Sequence, residues 1–498
     1  MAKTLMVQGT GSDAGKSILV AALCRIYTRR GYRVAPFKSQ NMALNSFVTP
    51  EGDEIGRAQA VQAQAAKRPP HVDMNPVLIK PEGNSRSQII LMGKPWKSMD
   101  GSDYYRSKKS LWTEVTQAID RLRRDNEIVI IEGAGSPAEI NLNEHEIVNM
   151  AVARYSDSPV LLVADIDRGG VFASLYGTLI MVDEDRDRIK GFLINKFRGD
   201  ETLLRPGLKM LEERCGGVPT LGVIPFIPDI YLAQEDSVFI DKNRYFGDGE
   251  GLILVVIKLP HISNYDDFDP FLNDKGISLC FVSHPSEIPE AAAAIIIPGS
   301  KTSINDLEWL KETGLFSKIR QLAAQEVPVA GICGGYQMMG TAIHDPESFE
   351  AEGGSVEGLN LLKVETLFSG QKTTLQTEGR FTGGPGFFES LKNQKCRGYE
   401  IHRGETRSTE EGIPLYRKED GHLEGSISPD GLCWGTYMHG IFDDLLFRKS
   451  FLVSLGWEAP ESGESEDVLR ELEIERIADA VEKAVDMNAI DHLLGLGV

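Results

Sequence analysis

A chain of 498 residues is too long for one ordinary core, so two or three domains are expected. Hydrophobic residues at 41% and charged residues at 25% are the proportions of a soluble globular chain. The formal charge of −20 argues against nucleic-acid binding, which needs a basic footprint, and obliges any anionic substrate to find a local basic pocket. Residues 1–7 run straight into a strand pattern and offer no signal-peptide core. No run of about 18 apolar residues occurs anywhere, so no membrane partner is expected. Six scattered cysteines without a CxxC pair fit neither a zinc site nor a disulfide framework, which implies a reducing cytoplasm.

In the first half, apolar runs at 4–8, 33–38, 127–132, 159–165, 190–195 and 221–224 are separated by helix-length segments. Continuous β-branched runs of this kind predict a parallel sheet covered on both faces, an α/β fold. Between the first run and a helix carrying Ile18, Leu19, Ala22, Leu23 and Ile26 lies Gly-Thr-Gly-Ser-Asp-Ala-Gly-Lys-Ser at 9–17. A polar break at 241–250 reads as a linker, after which the αβ rhythm restarts at 252–259, 277–282, 293–297 and 328–332. Gly- and Thr-rich alternation from 353 to 436 predicts antiparallel strands. The acidic tail after Pro460 carries Leu472, Ile474, Ile477, Val481, Ala484 and Val485 on one side and predicts a packing helix. Two doubly wound, mostly parallel-sheet domains are therefore expected at 1–240 and 251–455, with a helical extension at 460–498.

A loop that closes over phosphates needs glycines for close backbone approach, a lysine for charge and a hydroxyl for Mg²⁺. Gly11, Ser12, Asp13, Ala14, Gly15, Lys16 and Ser17 are candidates to wrap ATP, although Thr10 stands where the usual spacing wants a glycine and Gly9 precedes it. Mg²⁺ needs further hard oxygens. Glu132, ending an apolar strand before Gly133-Ala134-Gly135, is one candidate; Glu54, beside Asp53, is another. Asp165 closes a later strand and is a candidate for Mg²⁺, for an acyl substrate or for a helix cap. Asn195 follows another strand, where an amide suits an adenine edge.

A nucleophilic cysteine needs a strand-to-helix turn too tight for bulky neighbours. Gly331-Ile332-Cys333-Gly334-Gly335 provides one, and the other five cysteines are expected to pack as small hydrophobes. Its base should be a histidine within reach. His439, after Gly435-Thr436-Tyr437-Met438, is the first candidate and His402 the second. The turn Pro298-Gly299-Ser300-Lys301 suits backbone donors to an oxyanion.

These motifs carry a resemblance over essentially the whole chain. The C-terminal half resembles a class I (triad-type) glutamine amidotransferase domain, and the N-terminal half the dethiobiotin synthetase-like branch of P-loop proteins. The full arrangement resembles the cobyric acid synthases, glutamine-dependent amidases of adenosylcobalamin biosynthesis. It rests further on Phe37-Lys38-Ser39-Gln40-Asn41-Met42, Gly56-Arg57-Ala58-Gln59-Ala60, Asn75-Pro76-Val77-Leu78-Ile79-Lys80-Pro81, Ser87-Gln88, Ala164-Asp165-Ile166-Asp167-Arg168-Gly169-Gly170-Val171-Phe172, Asn195-Lys196-Phe197-Arg198-Gly199 and Gly398-Tyr399-Glu400-Ile401-His402.

The resemblance implies Cys333 as nucleophile, His439 as base, Gly299 and Gly334 at the oxyanion and Gln337 as a glutamine ligand. Many triad amidotransferases carry a glutamate two residues after the histidine. Here that position is Ile441, so a Cys–His dyad or another orienter is expected, Asp443 being near in sequence. The implied substrates are ATP, glutamine and a corrinoid whose b, d, e and g carboxylates are amidated, with Lys38, Arg57, Lys80, Arg86, Asp165 and Arg168 as candidate contacts. Because free ammonia is protonated at neutral pH, a shielded path for it is expected. Two alternatives stand beside this reading: the earlier a,c-diamide synthase, and a ParA-like ATPase switch with a non-catalytic amidotransferase-like module.

Overall fold

All six apolar runs of the first half become strands of one all-parallel sheet: β1 (Lys3–Gly9), β2 (Val34–Phe37), β3 (Ile128–Glu132), β4 (Val160–Asp165), β5 (Ile189–Phe197) and β6 (Thr220–Pro225). Their order is β6-β5-β4-β1-β3-β2. The computed structural model describes residues 1–83, 86–228, 230, 244–247, 251–350, 354–410, 412–460 and 463–497. Most of the 241–250 linker lies outside them. The chain divides into two units. Met1–Ala43, Asp53–Ala233 and Arg470–Val498 make the first; Leu44–Gly52 and Gln234–Leu469 make the second.

In the first unit, alternate residues of the buried strands feed two cores. Leu5, Val7, Ile128 and Ile130 face α1 (Lys16–Arg29), while Met6, Val129, Ile131 and Leu162 join the opposite cluster. The tail is not a separate piece. Within the helix Glu466–Ala484, Ile474, Ile477 and Val481 share the α1 core, as the apolar spacing predicts, and Ala478 joins them, but Leu472 is 58% exposed. Arg25 fixes the join: its buried guanidinium bonds Glu471 at 2.9 Å, Glu475 at 2.6 Å and the Ala65 carbonyl at 2.8 Å. The sequence reading missed a second, mixed sheet of Gln40–Met42, Val77–Gly83, Arg86–Leu91 and Lys94–Asp100, and the long helix Gly101–Asp125.

In the second unit the parallel core strands are β7 (Leu252–Ile257), β8 (Ile277–Val282), β9 (Ala292–Ile297), β10 (Val329–Ile332) and β11 (Cys433–Thr436), ordered β8-β7-β9-β10-β11. Short antiparallel strands edge them, Tyr245–Phe246 on β8 and Ser426–Ile427 on β11. The expected antiparallel region is built on the long ribbon Val364–Phe381 with Lys395–Ser408. Leu44–Gly52, from early in the chain, packs here: the Phe47 ring lies 5.0 Å from that of Tyr399, and Val48 is buried with Tyr399 and Ile401.

Behind β11, Trp434, Phe442, Phe447 and Phe451 form an aromatic core. Arg448 is buried inside it, donating to Asp274 at 2.8 Å and to the Phe442 carbonyl at 2.6 Å. Burial raises the Asp274 carboxyl despite that guanidinium. Removing Arg448 would strand both acceptors, so Arg448→Ala is expected to cost about 3 kcal/mol of stability, read as a lower midpoint in chemical denaturation. A change within experimental error would mean the pair is solvated.

Candidate active sites

The phosphate loop leaves β1 at Gly9 and enters α1 at Lys16. Gly15 has φ +94°, and a β-carbon there would sit 2.1 Å from Asn195 Nδ2, so only glycine fits. Crowding also explains the displaced first glycine. A β-carbon on Gly9 would lie 2.8 Å from the Gly11 carbonyl and 2.9 Å from Lys16 Nζ. Lys16 is buried, donating to the Gly11 carbonyl at 2.9 Å and the Gly135 carbonyl at 3.2 Å. Lys196 Nζ donates to the Asp13 carbonyl at 2.9 Å and Asn195 Nδ2 to the Ala14 carbonyl at 3.0 Å, bracing the loop from β5. One N–H of the Asn195 amide is thus engaged by the loop backbone, which fixes the side chain beside the phosphate loop.

Register places Glu132 beside the loop, since it pairs with Val7 of β1. Ser17 Oγ donates to Glu132 Oε1 at 2.8 Å, Lys38 Nζ reaches the same oxygen at 2.9 Å, and Gln62 Nε2 donates to the other. Burial opposes charge on Glu132, yet Lys38, Gln62 and Ser17 together hold it below the ordinary carboxylate range. Ser17 and Glu132 therefore bring together two hard oxygens of the type Mg²⁺ takes. Glu54 is engaged in a separate buried ion pair with Lys80 at 2.7 Å. Among the described residues no group of three or more His, Cys, Asp or Glu converges on a metal position. Arg57 is buried at the start of the helix Arg57–Ala65, whereas exposed Arg86 donates to the Ser98 carbonyl at 3.4 Å. Arg168 pairs with Asp13 at 2.9 Å. Asp165 spends one oxygen capping the short helix Ile166–Arg168, through the Asp167 N–H at 2.9 Å, and the other on Lys196 at 2.8 Å.

At the second site Cys333 sits between β10 and the short helix Gly334–Met339 with φ 52° and ψ −109°, a conformation rare for a residue with a side chain. The glycines after it are demanded by close approach. A β-carbon at 335 would lie 2.0 Å from the Ile297 carbonyl, and one at 334 would lie 2.9 Å from Ser300 N. That crowding brings the 299–300 turn and the elbow together. A β-carbon on Gly299 would stand 3.2 Å from His439 Cε1, so the histidine lies against the same turn. Cys333 Sγ donates to the Ile401 carbonyl at 3.4 Å, and the sulfur lies close enough to His439 to act on its imidazole electrostatically. His439 Nδ1 lies 2.7 Å from Asp267 Oδ2, and its ring stacks on Tyr399 at 5.3 Å. Burial pulls the imidazole pKa down, but the Asp267 carboxylate and Cys333 sulfur outweigh it and push it up to about 10.

Gln337 is buried. Its carbonyl accepts from Ser303 Oγ at 2.6 Å and its amide donates to the Arg403 carbonyl at 2.8 Å and Tyr437 Oη at 3.1 Å. His402 stacks on Tyr437 at 3.6 Å and binds Glu400 at 3.4 Å. Cys24, Cys215, Cys396 and Cys433 are buried, and burial raises each thiol.

Residues 5–238 match the CobQ/CobB/MinD/ParA nucleotide binding domain, and residues 253–446 match the CobB/CobQ-like glutamine amidotransferase domain. Over its whole length the chain is 47% identical to the cobyric acid synthase of Dehalococcoides mccartyi (strain CBDB1), covering 100% of both chains. The chain belongs to the cobyric acid synthase family. Cobyric acid synthases of Desulforudis audaxviator (strain MP104C) and Sorangium cellulosum (strain So ce56) are each 46% identical, over 99% of this chain and 100% and 99% of theirs.

The cobyric acid synthase resemblance read from the sequence is therefore upheld, and with it the α/β fold of both halves. No helix among the described residues is long and apolar enough to cross a membrane. What sequence reasoning missed is Asp267. Neither periodicity nor spacing separates it from Asp266 and Asp269. The usable signal was its place in the segment after β7, on the side of the sheet where the strands leading to Cys333 and His439 also end.

Proposed function

We propose that this cobyric acid synthase couples glutamine hydrolysis at Cys333 to ATP-dependent amidation of the b, d, e and g carboxylates of adenosylcobyrinic acid a,c-diamide. The observation that carries the reading is one chain holding both an elbow thiol beside a carboxylate-backed histidine and a phosphate loop with Lys16 held against its backbone.

At the thiol site, Cys333 gives its proton to His439 Nε2 and its sulfur attacks the side-chain carbonyl of glutamine. The oxyanion forms against the Gly299–Ser300 turn and the Gly334 backbone. His439 returns the proton to the departing nitrogen, ammonia leaves, and a glutamyl thioester remains. Water, deprotonated by the same imidazole, cleaves the thioester to glutamate and regenerates the thiol. At the phosphate loop, a substrate carboxylate oxygen attacks the γ-phosphorus of ATP and ADP leaves. Lys16 meets the charge on the transferred group. Ser17 and Glu132 would hold Mg²⁺, which when bound neutralises phosphate charge. Ammonia then attacks the acyl carbon, phosphate departs, and loss of a proton gives the amide.

Incubation with ATP, Mg²⁺, glutamine and the a,c-diamide, followed by mass spectrometry, tests the assignment. Four hydroxyls replaced by amino groups are expected. Amidation only of a substrate whose a and c carboxylates are free would overturn it in favour of the earlier synthase.

A further inference from the structure

Ile441, at the position where many triad amidotransferases place a glutamate, is 1% exposed and turned into the apolar core after Gly440 (φ +75°). The Ile441 side chain therefore packs in the core and offers the imidazole no carboxylate. A different residue does. Asp267 lies on the short helix Tyr265–Asn273, far upstream. Its Oδ2 is 2.7 Å from His439 Nδ1, while its Oδ1 accepts the Gly440 N–H at 2.8 Å. One carboxylate thus holds both the ring and the turn that carries it. The two side chains are 2% and 1% exposed, so this is not the solvent-screened kind of ion pair that contributes little.

We infer that Asp267 is the positioning residue of the thiol site, keeping the His439 proton on Nδ1 and Nε2 turned to Cys333. The inference rests on the glutamine hydrolysis proposed for that thiol. Only an Nδ1–H can bond a carboxylate oxygen at this distance, so Nε2 is left as the atom that takes the sulfur's proton. The charged form gains as well. The groups facing the imidazole are the Asp267 carboxylate, the Cys333 sulfur and the stacked Tyr399 ring. Burial lowers the imidazole pKa, and the Asp267 carboxylate first, then the Cys333 sulfur, more than reverse this, to about 10. The charged imidazole is then kept below that pH and lost as pH rises through it.

The test compares full-length wild type with Asp267→Asn, each supplied with ATP, corrinoid and either glutamine or ammonium salt. With glutamine, kcat is expected to fall about 10²- to 10⁴-fold with KM little changed. The alkaline limb of the pH profile should move from near pH 10 toward the ordinary imidazole value of 6.5. Ammonia-driven amidation reports that the variant is folded. An Asn variant matching wild type in kcat and pH profile overturns the role of Asp267 and leaves the proposed function standing. Wild type unable to hydrolyse glutamine overturns both. Should the variant lose both nitrogen sources, the wild-type profile decides: an alkaline limb near pH 10 supports the inference, and one near 6.5 overturns it.

Discussion

Cys333→Ser is expected to lower glutamine-driven amidation by about 10⁴-fold or more while ammonia-driven amidation continues. The reason is local and chemical. The elbow holds the sulfur in a backbone conformation that few side chains tolerate, against the Ile401 carbonyl and His439. A serine oxygen fits the same space, so the fold should survive. A hydroxyl is far less acidic than a thiol, however, and the imidazolium cannot hold it as an anion. The first proton transfer then becomes the barrier. Ammonia from solution bypasses this step and needs only the phosphorylated acid. Parallel assays with glutamine and ammonium salt, read by mass spectrometry, separate the two. Loss of both activities would show that Cys333 serves the structure; retention of both would show that another group cleaves glutamine.

That division between the two chemistries was legible in the sequence because each motif is local. The phosphate loop lies within nine consecutive residues and the elbow within five, and both need glycine where backbones meet, as at Gly15 and Gly335. The strands that carry them were legible for a similar reason: buried parallel strands read as unbroken apolar runs. Partners brought together by folding were not legible. Lys38 and Gln62 meet at Glu132, and Asp267 meets His439, across separations that no spacing rule spans. Strand-end position brought Asn195 to the correct loop, but its bond to the Ala14 carbonyl is a contact that only the folded chain shows. Leu472 failed differently. It fits the apolar stripe of its helix, yet at that turn the side chain stays exposed. Leu44–Gly52 packs in the second unit although it lies between segments of the first, a topology that local pattern cannot express.

Lys16→Ala is expected to lower amidation about 10³-fold with glutamine and with ammonia alike, because both routes pass through the same acyl phosphate. Lys16 is the cation built into the loop itself. Its Nζ is held between the Gly11 and Gly135 carbonyls, with Gly9 packed too closely beneath for any side chain. Removing it leaves those two carbonyls without their donor and leaves the transferred phosphoryl group without a fixed counter-charge. Lys16→Arg should not rescue. A planar guanidinium is broader than an ammonium and cannot enter the space that Gly9 keeps open for a single nitrogen. The thiol site lies in the other unit of the fold, so glutamine hydrolysis measured as glutamate release should fall far less than amidation does. Product counted by mass spectrometry and glutamate counted in the same reaction give the ratio directly. Wild-type amidation by Lys16→Ala from either nitrogen source would remove ATP from this loop. Equal loss of glutamate release and of amide product would instead show that hydrolysis at Cys333 waits on the phosphorylated acid.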